Sequence, residues 1–215
     1  MARCNVFLAL VFLFVPSAAQ TKEAKIGSSF ISLIAPPAFC ELDQDSHPVK
    51  NIRDLLGGRT LLLASYADCR SNFSLPLDNY ATYTTPANLT ANLPVGAIKQ
   101  VCATMRAKGD ERLAGIMRDR KSDIESIFKG VKINEMRFLG VLAEEADVCY
   151  TAGVQSLVTE TGVDKKQINI SAATALRGKF VVFHLYAPFE GNTSVSKLLD
   201  QHKKNVAAFF AANPN

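Results

Sequence analysis

The sequence predicts an α+β domain, with one mainly antiparallel sheet flanked by helices. Three observations lead there. The last third holds four segments of strand character in two hairpins, one turning at Glu144-Glu145-Ala146-Asp147 and one at Arg177-Gly178. Apolar stripes at helical spacing lie before these segments and again after them. Upstream, "TLLLASYADCR" (60–70) carries a continuous apolar run from Leu61 to Ala64, the pattern of a strand covered on both faces. Such an order of elements builds a sheet with helices laid on it.

The first residues belong to a different kind of segment. Arg3 gives a positive start, Val6 to Val15 is unbroken apolar sequence, Pro16 ends it, and Ser17-Ala18-Ala19 supplies small residues for cleavage. Residues 1–19 read as a secretory signal peptide, too short to span a bilayer. Cutting there leaves residues 20–215 as a single α+β domain of 215 − 19 = 196 residues, enough for a substantial core. No later stretch is long and apolar enough to cross a membrane. The mature chain carries the full charge of +4 less Arg3, that is +3, with basic residues scattered among acidic ones. A nucleic-acid partner would call for a basic stripe with stacking aromatics, and the sequence has none.

Along the mature chain, residues 20–29 are polar and expected to be loose. "FISLIAPPAFCELD" (30–43) is apolar but broken by Pro36-Pro37, which suits an edge strand or two short ones. "SHPVKNIRDLLGG" (46–58) predicts a short helix, capped by Ser46 or His47, with Pro48 in its first turn and Gly57-Gly58 at its end. The strand at 60–70 follows and is expected at the centre of the sheet. Residues 72–94 hold three prolines with much Asn and Thr, and read as a long, mostly irregular connection.

A helix pair is then predicted, with Val95, Ile98, Val101, Cys102 and Met105 on one face. After a break at Gly109-Asp110 come Leu113, Ile116, Met117, Ile124, Ile127 and Phe128. Beyond the two hairpins, "TSVSKLLDQHKKNVAAFFAAN" (193–213) predicts a terminal helix capped by Thr193 or Ser194. Its buried face is Val195, Leu198, Leu199, Val206, Phe209 and Phe210.

The segments "FCELD", "YADC", "LDNYATYTTP" and "HLYAPFEG" resemble those of a group of exported bacterial proteins of unassigned function. The element order is also similar to the PsbP-like α/β/α sandwich, a fold of extracytoplasmic accessory proteins. The resemblance brings no catalytic residues to this chain, and fold alone does not imply function.

Removal of the signal peptide takes Cys4 with it and leaves Cys40, Cys69, Cys102 and Cys149. An even number in an oxidising compartment reads as two disulfides, with three permitted connectivities. Cys40 and Cys69 end two strand regions that a helix joins. As parallel neighbours they would meet at one end of the sheet and close a loop of about 30 residues, stabilising the fold by roughly 3.5 kcal/mol. Cys102 and Cys149 then form the second pair, or stay reduced as small buried hydrophobes. No C-x-x-C spacing occurs, so a thioredoxin-type redox motif is absent.

Other candidate residues carry less. Cys69 beside Arg70 could be a nucleophile only with a positioned base, and of the three histidines only His47 could approach it. His184 and His202 lie among apolar residues and read as core histidines. Asp43, Asp45 and His47, continued by Asn51 and Asp54, hint at a calcium loop, but Pro48 stands where a glycine is needed and the closing residue is not Glu. Glu144, Glu145 and Asp147 suit a solvated hairpin tip better than a glycosidase pair. No phosphate-binding glycine loop, dinucleotide fingerprint, zinc motif or nucleophile elbow occurs, and no cofactor or metal is expected. Sequons stand at Asn72, Asn88, Asn169 and Asn192.

These readings combine into an exported, non-enzymatic accessory or binding protein of the cell envelope. Its partner is expected to be a protein, meeting the loop "SLPLDNYATYTTP" through Tyr80 and Tyr83. The rival readings are an exported hydrolase with dispersed catalytic groups and a secreted factor acting on a host.

Overall fold

The computed structural model describes residues 21–71, 78–127, 131–159 and 162–214. Nine strands and three helices are found among them, in the order β1 Thr21–Ile26, β2 Ser29–Ile34, β3 Phe39–Glu41, α1 His47–Leu56, β4 Thr60–Asp68, β5 Tyr80–Pro86, α2 Ala97–Ile127, β6 Val131–Glu145, β7 Val148–Thr159, β8 Asp164–Leu176, β9 Lys179–Pro188 and α3 Asn192–Ala211. Seven strands form one sheet in the order β3-β4-β5-β9-β8-β7-β6, and every neighbouring pair is antiparallel. The fold class is α+β. β1 and β2 make a separate antiparallel pair.

Strand alternation divides the sheet into two faces. Ala64, Tyr66, Ala81, Tyr83, Tyr150, Ile168, Ile170, Phe183 and Leu185 point one way, into a core completed by Ile31 and Leu33 of β2 and by Leu198, Val206 and Phe209 of α3. Fully burying an aromatic such as Phe183 or Phe209 contributes about 1.5–3 kcal/mol. The rings interlock there, with Tyr83 stacked on Phe183 at 4.0 Å and tilted against Phe209 at 5.1 Å. On the opposite face, α1 covers Leu42 and Ala67 with Val49, and α2 covers Cys149, Ala173 and Phe180 with Ile98 and Cys102.

The two hairpins of the last third form as expected, β6 to β7 around Ala146-Asp147 and β8 to β9 around Arg177-Gly178. Arg177 and Gly178 sit at φ 49° and 73°, the left-handed pair that a two-residue hairpin turn requires. α1 also matches, with Gly57 at φ 59° ending it. Ser46 stands at its N-cap position, but its hydroxyl donates to the Asp43 carbonyl instead of accepting from the helix. α3 is capped two residues before the nearer expected position, with Gly191 rather than Thr193 or Ser194 at the cap. Ser194 Oγ donates to the Gly191 carbonyl and accepts from the Glu190 amide.

Several expectations are corrected. Of the stretch 20–29 expected to be loose, Thr21–Ile26 forms β1, with Ala24 and Ile26 buried between outward Lys and Glu. β3 and β4 are antiparallel, not parallel. β4 lies next to the sheet edge, whereas β9 is central, and Leu61 remains 47% exposed, so the apolar run is covered only from Ala64 onward. The stretch read as irregular contains β5, because Pro86 ends the strand instead of interrupting it and the tyrosines and threonines of Tyr80–Thr85 suit a strand buried on both faces.

Nor is there a helix pair. α2 runs unbroken through Gly109 for 31 residues, and Val95 lies exposed ahead of it. The side chains of Leu113, Ile116, Met117 and Ile124, and Phe128 altogether, lie outside the described residues.

The C-terminus is tied down by side chains. The Asn213 amide meets the outer edge of β2, accepting from the Ser32 N–H and donating to the Ser32 carbonyl, both at 2.8 Å. Arg177 donates to the carbonyls of Phe30 at 3.0 Å and Pro214 at 3.2 Å.

Candidate functional site

Cys40 lies on β3 opposite Ala67, and Cys69 follows the last residue of β4, its N–H donating to the Ala38 carbonyl at 3.0 Å. The antiparallel register brings the two thiols together, and they are joined, with Cα atoms 5.0 Å apart. Cys102 of α2 is joined to Cys149 of β7 across 5.5 Å. The alternative of reduced, buried thiols at Cys102 and Cys149 is therefore set aside. Bonded to Cys40, Cys69 lacks the free thiol a nucleophile needs. His47 is exposed at the start of α1.

The two remaining histidines differ. His202 is fully buried in the α3 core, where Nε2–H donates to the Phe183 carbonyl at 3.0 Å and the ring meets Phe183 and Tyr150 edge-on. Burial lowers its pKa to about 3, so it is neutral. His184 points the other way, into a polar row that crosses five strands. The register sets Ser65, Thr82, His184, Ser171 and Thr151 side by side on the face that carries α1 and α2. Asn169, Tyr80 and Tyr186 flank the row, with the two tyrosine rings stacked at 4.0 Å.

Side-chain hydrogen bonds join the members of this row. Ser171 Oγ lies 2.8 Å from Asn169 Oδ1 and 2.7 Å from His184 Nδ1, and His184 Nε2 lies 3.1 Å from Thr84 Oγ1. Burial lowers the His184 pKa to about 4, which keeps the imidazole neutral. Burial raises the hydroxyl of Tyr186 to about 12 and also raises that of Tyr80. The row is built from neutral groups.

Sequence reading took His184 for an ordinary core residue and missed Thr82, Thr84, Asn169 and Ser171. The available signal was weak: Thr82 and Thr84 alternate in "YATYTTP" and Asn169 and Ser171 in "NISAATA", but Thr85 and Thr174 place threonines on the other face as well.

The acidic and sequon residues have defined places. Glu144 pairs with Arg106 of α2 at 2.7 Å and Glu145 with Lys203 of α3 at 3.1 Å, so the turn is bound to both helical layers and is more than a solvated tip. Asp43 Oδ1 accepts from the Asp45 N–H at 2.8 Å in a turn that leads into α1. Among the described residues no cluster of His, Cys, Asp and Glu is arranged to hold a metal ion. Tyr83 is buried and Tyr80 stacks inside the sheet, so neither is a loop contact residue. Asn88 and Asn192 are exposed, Asn169 is bonded within β8, and Asn72 lies outside the described residues. An open cleft of 450 Å³ lies at the other sheet edge, between Arg106–Glu111 of α2 and Phe138–Val141 of β6, and the Arg106 that pairs with Glu144 lines it.

The arrangement defines an antiparallel α+β sandwich stapled by two disulfides. The chain is similar to the solution structure of cyanobacterial PsbP (CyanoP) from Synechocystis sp. PCC 6803, at 11% identity and a TM-score of 0.45, over 95% of this chain and 96% of that one. It is also similar to the Ran-binding protein Mog1p of Saccharomyces cerevisiae, at 11% identity and a TM-score of 0.36, over 91% of this chain and 93% of that one. No family model and no curated protein matches the sequence. Among the described residues no helix is long and apolar enough to cross a membrane.

Proposed function

We infer that the chain is an exported, non-enzymatic accessory or binding protein of the cell envelope, stabilised by disulfides and acting through a protein partner. The observation that supports this reading most directly is the joining of Cys40 to Cys69 and of Cys102 to Cys149. Structural disulfides persist in oxidising compartments and are rare where thiols are kept reduced. The apolar run and small-residue exit of residues 1–19 agree with that destination.

Fractionation and crosslinking of the full chain, expressed with its own N-terminus in a bacterial host, test the reading. The expected product is an envelope form beginning at Gln20, resistant to alkylation before reduction, that crosslinks reproducibly to one protein. Retention in the cytoplasm with free thiols, or the absence of any reproducible crosslink, would refute it.

A further inference from the structure

The two disulfides sit in opposite surroundings. Cys102 and Cys149 are fully buried between α2 and the sheet. Cys69 is exposed and Cys40 half-buried, at the edge of the sheet where β3 is only three residues long. Thiol–disulfide exchange needs a thiolate to reach a sulfur, so access decides which bond reacts. Charge does not oppose an anionic thiolate here. Asp68 is held by Arg70 through two hydrogen bonds, at 3.0 and 2.7 Å, and Glu41 is paired with Lys22.

The backbone leading into β3 adds a second observation. Ala38 sits at φ 66°, a left-handed conformation that residues other than glycine rarely adopt, directly after Pro36-Pro37. The turn is held by the bond from Phe39 N–H to the Pro36 carbonyl and by that from Cys69 N–H to Ala38. The disulfide therefore fastens a short edge strand to its neighbour just beyond a strained turn.

We propose that the Cys40–Cys69 bond is a thiol-exchange site, attacked at Cys69 by an oxidoreductase that carries two cysteines, while Cys102–Cys149 stays closed. In the first step the partner's thiolate bonds to Cys69 Sγ, the Cys69–Cys40 bond breaks, and Cys40 leaves as a thiolate that takes up a proton. In the second, the partner's other thiol, deprotonated, attacks the sulfur that joins it to Cys69. The partner ends as a disulfide and Cys69 leaves as a thiolate that is protonated in turn. Two electrons and two protons pass to the chain. Opening leaves β3 held by its ladder to β4 and by the contacts of Phe39 and Leu42, so the edge of β4 is uncovered more often.

The test uses the oxidised full-length chain and a dithiol oxidoreductase whose second cysteine is replaced by serine, which stops exchange at the first step. Peptide mass mapping is expected to find the partner on Cys69 with Cys102–Cys149 intact. A dithiothreitol titration followed by alkylation should label Cys40 and Cys69 at least tenfold below the concentration that labels Cys102 and Cys149. Amide exchange at Phe39–Glu41 should quicken in the singly reduced form. No adduct, an adduct on Cys102 or Cys149, or opening of both bonds at one concentration overturns the proposal, whatever fractionation shows about export.

Discussion

The ring of Phe138 fills the space beside Gly109, its Cε1 2.1 Å from where a β-carbon on that glycine would stand. Gly109 is therefore no helix break. It is the position at which α2 brings its backbone against the side chain of β6. Helix propensity alone gives Gly109→Ala a gain of about 1 kcal/mol. Displacing the ring costs about 1–3 kcal/mol. The expected net effect is destabilisation of about 1 kcal/mol, read as a lower urea midpoint at unchanged slope. A raised midpoint would show that the ring moves freely.

Acid should weaken the fold well before its carboxylates are protonated. His184 and His202 have folded-state pKa values of about 4 and about 3, below the ordinary 6.5. Both stay neutral in the native protein and become charged in the unfolded chain, which binds more protons between those limits. Their contribution is complete above pH 6.5 and is lost as pH falls, with a slope of about 1.4 kcal/mol per pH unit for each histidine. Urea midpoints from pH 6.5 to 4.5 should fall accordingly. In His202→Gln the slope should drop to about half, and an unchanged slope would remove His202 from this account.

The two disulfides should differ in thermodynamic weight as well as in access. With sequence separations of 29 and 47, the chain-entropy model gives about 3.6 kcal/mol for Cys40–Cys69 and about 4 kcal/mol for Cys102–Cys149. Replacing the second pair also opens space in a fully buried cluster with Ile98. The double variant Cys102→Ala with Cys149→Ala is thus expected to lose more stability than Cys40→Ser with Cys69→Ser. Calorimetric midpoints of the two would settle the order.

Asn213 behaves as an added piece of strand. Its amide makes both bonds to Ser32 and donates to the Phe209 carbonyl at 2.8 Å, so it joins the end of α3 to β2. Asn213→Ala leaves the Ser32 N–H and carbonyl without that partner, at a cost of about 2 kcal/mol for groups that are partly buried. Hydrogen exchange should quicken first at Ser32 and its neighbours. Unchanged protection there would mean that water replaces the amide at no cost.

Legibility in the sequence followed the range over which each signal acts. α1 could be read because Pro48 and Gly57 punctuate it within a dozen residues, and β6 to β9 because their alternation is long and their turns are local. β1 was hidden by the brevity of its pattern, two apolar positions between lysines and a glutamate. The unbroken run of α2 was hidden because the reason for Gly109 lies on another element, at Phe138. The Cys40–Cys69 pairing could be read although the strand direction could not, because β3 is only three residues long and, even running antiparallel, sets Cys40 opposite Ala67, two residues from Cys69. The polar row could not be read. Thr84 and His184 are 100 residues apart and meet only because β5 pairs with β9, an order no local pattern contains.

The bonding of Asn169 and Ser171 bears on how the protein can be made. Together with Ile170 they form an Asn-x-Ser acceptor, yet once β8 has joined β7 and β9 the amide and the hydroxyl are turned toward each other inside the sheet. A sugar could be attached there only to a nascent chain, and it would then bar β8 from its place beside the central strand. Production in yeast or animal secretory cells should yield soluble protein only from the fraction that escapes modification at Asn169. Asn169→Gln would be a poor remedy, because a longer amide shifts the group that Ser171 bonds. Bacterial export avoids the conflict, and for this chain the choice of host is a matter of folding as much as of yield.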